Sequence, residues 1–503
     1  MSVNTQNIYH LNVNFGLRVS GVEKSAVLRH QVLREQYQSR ILTMLYNPKL
    51  AKYFQLAGVE QTEYANMFDF FQESLYLEKN RIVTIEEVFP QEYYQAVQQS
   101  NNIDYRIYHN EKYIAYLRVF PNQSIEYINY FDETPRKTER HLYDCRGFLS
   151  LRRVLDSNNQ SIAEFYYSPE GKIKLERYFD REKEVYYQYY GENQTHYLKG
   201  DQALQTLFLE MFLKDDDIVV LDGSKSFGEV LVNSSFGGKI IAVLHSKHYI
   251  GYDPKNDLNS SNKTALENLE RIYKVITASE LQRQDVIERF HNPEQVVTIP
   301  VGVRTEVVKN QIVIDTDKPI KIGVVARYSV EKRLDHAIRA FSLVHQVYPN
   351  SELHLYGFSD ARDNFKTQRE LVQLAKSLNV YSAVKFRGYI TDLTKEYQQM
   401  HIKLLTSLYE GFCLAILEAI SRGIPTVAYD IKYGPSDMID DDRSGYLVEN
   451  GNYEQLADRI LRLIDDPNCY QDFSNQAYQK AKEFSKESIL ELWQTILPKK
   501  SIN

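Results

Sequence analysis

Short apolar runs alternate with amphipathic stretches at both ends of this chain, and the alternation stops in the middle. Residues 8–15 read as a strand, 16–21 as a loop, 22–37 as a helix with apolar residues at helical spacing, and 41–46 as a second strand. A βαβ start of this kind predicts a parallel sheet. The order resumes with a helix over 203–213, strands at 217–222 and 239–244, a helix at 280–290 and a strand at 296–299. After a linker at 302–317 it continues with a strand at 320–326 and a helix at 334–347. Further strands follow at 352–356, 384–386, 402–406, 426–429 and 445–448, and a final helix at 487–497 carries Trp493.

Between about residues 81 and 197 the period changes. Runs at 113–120, 124–131, 161–167, 174–179 and 185–190 alternate every second residue, are rich in aromatics, and end in turn residues. That pattern predicts antiparallel strands. The chain has 39 tyrosines against one tryptophan, and much of the excess lies here. A tyrosine-rich sheet with one wet face offers a binding or assembly surface. At 503 residues the chain exceeds a single core. The expected fold class is therefore α/β. A discontinuous Rossmann-like domain takes 1–80 and 198–301, and a β-rich insertion takes 81–197. A second Rossmann-like domain takes 302–484, and the last helix lies in 485–503.

Composition removes several classes of function. A net charge of −7 gives no sign of general nucleic-acid binding. The three cysteines, Cys145, Cys413 and Cys469, have neither metal-ligand spacing nor the count of a disulfide framework, and fit a reduced, cytoplasmic setting. No apolar run is long enough to span a bilayer, and the N-terminus lacks a secretory signal pattern. Association with the inner face of the membrane stays open.

The chemistry-bearing stretch is 409–437, YEGFCLAILEAISRGIPTVAYDIKYGPSD, which reads as loop, helix, buried strand and loop. Glu410 precedes a small apolar segment, Gly411, Phe412, Cys413, Leu414 and Ala415, and Glu418 follows about two helical turns beyond it. Gly411 allows close backbone approach, and the N–H groups of a helix start suit an anion. Two carboxylates around such a start suit a nucleotide-sugar. Arg327 and Lys332 follow the strand at 320–326, where a guanidinium fork and a lysine point charge suit a diphosphate. Gly357 lies where the chain would pass close to a nucleotide. Ser20 and Gly21 sit in the first βα turn, with backbone N–H groups near a ligand. His245 and His248 stand at a strand end. His-x-x-His also fits a metal pair. Asp215-Asp216-Asp217 forms an Asp-x-Asp, which reads as the polar lead-in to a strand.

The 409–437 stretch resembles the donor-site signature of the retaining GT-B glycosyltransferases, in particular glycosyltransferase family four. The resemblance implies two Rossmann-like domains facing a cleft, with the last helix, 485–503, packed back on the first domain, Glu410 on the transferred sugar and Glu418 on the ribose hydroxyls. Arg327, Lys332 and the backbone of 411–415 would meet the diphosphate. The Tyr433–Asp437 loop, the Ser20–Glu23 turn, the two histidines and the β-rich insertion are similar to the bacterial transferases of wall teichoic acids and serine-rich surface proteins. That implies a UDP-GlcNAc or UDP-glucose donor, no metal and a polymeric acceptor. His245 would lie near the sugar, and His248 and Ser20 near the acceptor. Self-association, or a complex with a related subunit, would run through the insertion.

Overall fold

Runs that are apolar on nearly every residue become inner strands of parallel sheets, buried on both faces. The computed structural model describes residues 6–17, 19–77, 81–180, 185–223, 225, 227–304, 308–359 and 363–498. They fall into two units, Met1–Glu23 with Tyr37–Ile240, and Lys24–Gln36 with Ile241–Asn503.

In the first unit β1 (Asn7–Asn12) pairs in parallel with β2 (Gln38–Thr43), and β2 with β3 (Tyr64–Asn66). The strand at Ile218–Asp222 joins β1 on its other side. The second strand starts three residues earlier than its apolar run implies, because Gln38 and Arg40 already pair with Asn7 and Tyr9. The preceding helix, α1 (Gly21–Leu33), is correspondingly shorter than expected. Asp217 accepts from the Asn7 amide nitrogen at 3.2 Å and from its side chain at 3.0 Å, so the Asp-x-Asp does lead into a strand.

Ten consecutive antiparallel strands, β4 (Gln95–Gln98) to β13 (Thr195–Lys199), make the insertion. All five alternating runs are strands. Two of the other five hide because charge breaks their pattern: Lys137–Asp144 and Phe148–Leu155 carry Glu139, Arg152 and Arg153. Partners on adjacent strands satisfy those charges, with Arg152 to Glu139 at 2.7 Å and Arg153 to Glu164 at 2.6 Å. One core of the insertion gathers Ile107, Ala115, Leu117 and Ile128 against Val83 and Phe89.

With Ile218–Asp222 as β14, the next strand, β15 (Lys239–Leu244), begins in the first unit and ends in the second. There it pairs with β16 (Lys274–Thr277), and β16 with β17 (Val296–Thr298). The second unit also holds six parallel strands. They are β18 (Ile320–Val325), β19 (Ser351–Tyr356), β20 (Val384–Gly388), β21 (Ile402–Leu405), β22 (Thr426–Tyr429) and β23 (Gly445–Val448). Their order is β20-β19-β18-β21-β22-β23. Helix α2 (Glu280–Phe290) matches its expected span, and α3 (Leu334–Val347) buries Leu334, Ala337, Ile338, Phe341 and Val344 at helical spacing. The last helix runs Lys486–Gln494 and sets Trp493 under the Arg29 guanidinium, 5.7 Å from the ring centre.

Candidate active site

In the second unit the strand order reverses between β18 and β21, and a parallel sheet opens to a ligand beyond the carboxyl ends of such a pair. From β18 the chain runs into Arg327 and a tight turn, Val330–Lys332. From β21 it runs into Ser407, Tyr409 and Glu410. The two loops are tied by backbone: Leu408 N–H donates to Glu331 O at 2.8 Å, and Thr406 Oγ1 to Lys332 O at 2.9 Å. At their meeting point Lys332 Nζ lies 2.7 Å from Glu410 Oε1, and Ser407 Oγ donates to the same oxygen at 2.6 Å. Both side chains are largely buried, at 17% and 13% exposure. Burial works against the Lys332 charge, but the Glu410 carboxylate outweighs it and holds the ammonium above its ordinary pKa.

Arg327 reaches Glu331 Oε1 at 3.1 Å and is 41% exposed, so its fork stays open to solvent. Gly357, at φ +152, closes β19 so near β18 that a Cβ would lie 1.9 Å from Ala326 O. Gly411 is required for the same reason. A Cβ there would lie 1.9 Å from His245 O, so the glycine lets the Glu410 loop lie against the end of β15. His245 is half-buried at that contact.

The helix after the loop, α4 (Leu414–Ile420), is seven residues long. Glu410 therefore belongs to the loop and Glu418 to the helix. Phe412 is buried edge-on against Phe484, and Leu414 packs on the core, so these two side chains anchor the segment. Cys413 enters the helix at φ +71, and burial pushes its thiol up to about 12. The Ala415 carbonyl accepts from Tyr397 Oη at 3.4 Å. Glu418 lines a cavity of about 340 Å³ together with Lys24, Thr391, Asp392, Tyr397 and Arg422. Tyr397 Oη donates to its carboxylate at 2.9 Å, and Lys24 pairs with it.

Several contributors left no trace in motif spacing: Ser407, Tyr397, Lys24 and Asp285. Asp285, on α2, accepts from Lys432 Nζ at 2.8 Å and from Tyr433 Oη at 2.5 Å. Those neighbours brace Glu410, whose N–H donates to Lys432 O at 3.3 Å and whose carbonyl accepts from Tyr433 N–H at 3.1 Å. The Tyr433–Asp437 loop was a partial signal for that brace.

The remaining candidates are His248, Ser20 and Gly21. His248 is fully buried, edge-on to Tyr249, and burial pushes its imidazole down to about 4. Ser20 and Gly21 lie in the first unit. The Ser20 hydroxyl accepts from Val22 N–H at 3.3 Å and bonds the Glu23 carboxylate, capping α1, and a Cβ on Gly21 would meet nothing. Among the described residues no group of three or more His, Cys, Asp or Glu is placed to hold a metal ion. Among them, too, no helix is long and apolar enough to cross a membrane.

Lys403 sits fully buried on β21, donating to Leu404 O at 3.0 Å. Burial pushes its ammonium down to about 8 from 10.5, although Cys413, Glu410 and Glu418 pull the other way. Between those values the unfolded chain holds more protons than the folded one, so this group makes stability rise with pH there. Lys403→Met is expected to flatten that rise, measured by urea unfolding across the window. An identical pH dependence in the variant would contradict the shift.

Residues 305–480 match the family model described as glycosyl transferases group 1. The poly(ribitol-phosphate) alpha-N-acetylglucosaminyltransferase of Staphylococcus aureus (strain COL) is 28% identical over 76% of this chain and 75% of its own length. The poly(glycerol-phosphate) alpha-glucosyltransferase of Bacillus subtilis (strain 168) is 26% identical over 74% of this chain and 55% of its own. The GtfA subunit of the UDP-N-acetylglucosamine–peptide N-acetylglucosaminyltransferase of Streptococcus gordonii is 22% identical over 97% and 98%. Among solved structures, S. aureus TarM superposes with a TM-score of 0.80 at 24% identity, over 98% of this chain and 99% of that one. The pneumococcal O-GlcNAc transferase GtfA gives 0.83 at 20%, with the same coverage. The GT-B fold with a β-rich insertion, and the resemblance read from the sequence, are borne out.

Proposed function

We propose that this chain, a glycosyltransferase whose residues 305–480 form a group 1 domain, moves a hexose or N-acetylhexosamine from a UDP-sugar, with retention, to hydroxyls of a wall-teichoic-acid polyol phosphate. The observation that carries this is the Lys332–Glu410 pair at the strand-order reversal, with Arg327 open beside it and Glu418 on the next helix. Arg327 and Lys332 take the diphosphate, and the backbone at Gly357 and Gly411 passes close to the donor. Glu410 faces the transferred sugar, and Glu418, held by Tyr397, faces the ribose hydroxyls. His245 works on the sugar or acceptor side. Charge stabilisation at the leaving diphosphate is then the main catalytic effect, and the diphosphate itself helps to take the acceptor proton. No metal is needed in this reading. Residues 302–484 bind the donor, and residues 1–80 with 198–301 serve the acceptor side.

O-glycosylation of Ser or Thr in a serine-rich adhesin is a second reading, favoured by the GtfA relatives that span 97% of this chain. A non-catalytic partner role is a third. The presence of Arg327, Lys332, Glu410 and Glu418 speaks against it. Assembly with a related subunit, or with itself, would run through the insertion in this reading; a solved GtfA/B complex stands among the similar structures. Loss of one charge-assisted contact should cost about 1.5–3 kcal/mol. Arg327→Ala or Lys332→Ala should therefore lower turnover by at least about tenfold without unfolding the protein. The deciding experiment incubates the protein with UDP-GlcNAc or UDP-glucose and offers purified teichoic acids and a serine-rich peptide in parallel. Sugar transfer to the teichoic acid is the expected result. Transfer to the peptide alone selects the second reading, and no transfer to either contradicts both.

A further inference from the structure

Donor binding leaves one charge beside Glu410 unused. Lys247 lies two residues beyond His245, on the segment that follows β15. Its Nζ stands 4.0 Å from the ring centre of Tyr409, 5.1 Å from that of Tyr249 and 5.9 Å from that of Tyr252. It donates to a backbone carbonyl, Gly251 O. Among the described residues no carboxylate pairs with it. Partial burial pulls its ammonium below the ordinary lysine range, and no neighbouring acid offsets that pull. A partly desolvated cation without a counter-charge is costly unless something else supplies one. The surroundings are also unusual for a free surface: Ile250 and Tyr252 are 58% and 80% exposed, and with Leu408 and Tyr409 they wall an open cup of about 460 Å³. Tyr409 adjoins Glu410 in sequence, Ser246 adjoins His245, and the Gly411–His245 contact holds those two segments together. The cup therefore opens beside the carboxylate assigned to the transferred sugar.

We propose that this cup is an acceptor subsite for a phosphodiester of a polyol-phosphate chain, with Lys247 on the phosphate and the tyrosine faces against the polyol carbons. It rests on the reading of the Glu410 loop as the site of sugar transfer, and it adds which acceptor chemistry that site selects. A lysine is a compact point charge suited to a phosphate that slides past. A neutral serine-rich peptide would leave that charge uncompensated.

The test titrates a synthetic glycerol-phosphate trimer into the full-length protein in the presence of UDP. The trimer should bind the wild type, with an affinity that falls as salt rises. Lys247→Gln should weaken it by at least about tenfold, and Lys247→Arg, which keeps the charge, by no more than about threefold. UDP affinity and melting temperature should be the same in all three proteins. The proposal is overturned if the wild type does not bind the trimer, or if Lys247→Gln binds it equally well. It is overturned too if that variant loses UDP affinity in parallel, or if a serine-rich peptide shows the Lys247 dependence instead. Absence of sugar transfer by the wild type would sink the proposed activity, while the trimer titration would still decide the subsite.

Discussion

Glu410→Ala is expected to lower kcat by about 100- to 1000-fold, the range seen when one preorganised group facing developing charge is removed. The donor KM should stay within about threefold of wild type, because the lost contact is one that strengthens only in the transition state. The proposed role asks for a carboxylate that is already held in place. The Glu410 carboxylate is fixed by Lys332 Nζ at 2.7 Å and Ser407 Oγ at 2.6 Å, and its backbone is braced by Lys432 and Tyr433. A group held from so many sides is placed before the substrate arrives, and it costs little to reorganise as charge builds on the sugar ring. Steady-state kinetics at saturating acceptor read the two constants apart. A variant with normal kcat and a raised KM would give Glu410 the ground-state role assigned to Glu418.

Arg146→Ala should destabilise the protein by about 3–5 kcal/mol, as expected when one member of a buried ion network is removed. Arg146 is 3% exposed and lies on the turn between two strands of the insertion. Its guanidinium bonds Asp144 at 2.8 and 2.9 Å, Asp69 at 2.8 Å and the Ser74 carbonyl at 2.8 Å. Asp69 and Ser74 belong to the segment after β3, so one side chain ties the insertion to the rest of its unit. Without it two buried carboxylates face each other. Burial first, and Asp144 as well, already hold the Asp69 pKa above the usual range, with Arg146 opposing them. Arg146→Lys keeps the charge but not the fork and should fall between the two. Urea unfolding of the full-length protein measures the loss, and a change below about 1 kcal/mol would show that the network contributes little beyond its own desolvation.

The strand–helix alternation made most of both parallel sheets legible, because inner strands such as Ile218–Asp222 and Ile402–Leu405 are short, largely apolar runs between helical stretches. Arg327, Lys332 and Glu410 were legible through the 409–437 stretch and its resemblance to a donor-site signature, and the structure sets them after the two strands between which the order reverses. What stayed hidden has two physical causes. Charged strands such as Lys137–Asp144 satisfy their side chains across the sheet, and single-chain periodicity does not record a cross-strand partner. Asp285, Tyr397 and Lys24 reach the site over long sequence separations, through contacts that no local spacing encodes. His248 shows the converse. The resemblance implies an acceptor contact for it, and in the structure it is fully buried against Tyr249.

Titration of UDP into the wild type, Arg327→Ala and Lys332→Ala by calorimetry asks most directly whether the ends of β18 and β21 hold a nucleoside diphosphate. One UDP should bind per chain in the wild type, and each variant should bind at least about tenfold more weakly while melting at the wild-type temperature. A wild type that binds no UDP, or two folded variants that bind it as tightly as the wild type, would contradict the assignment.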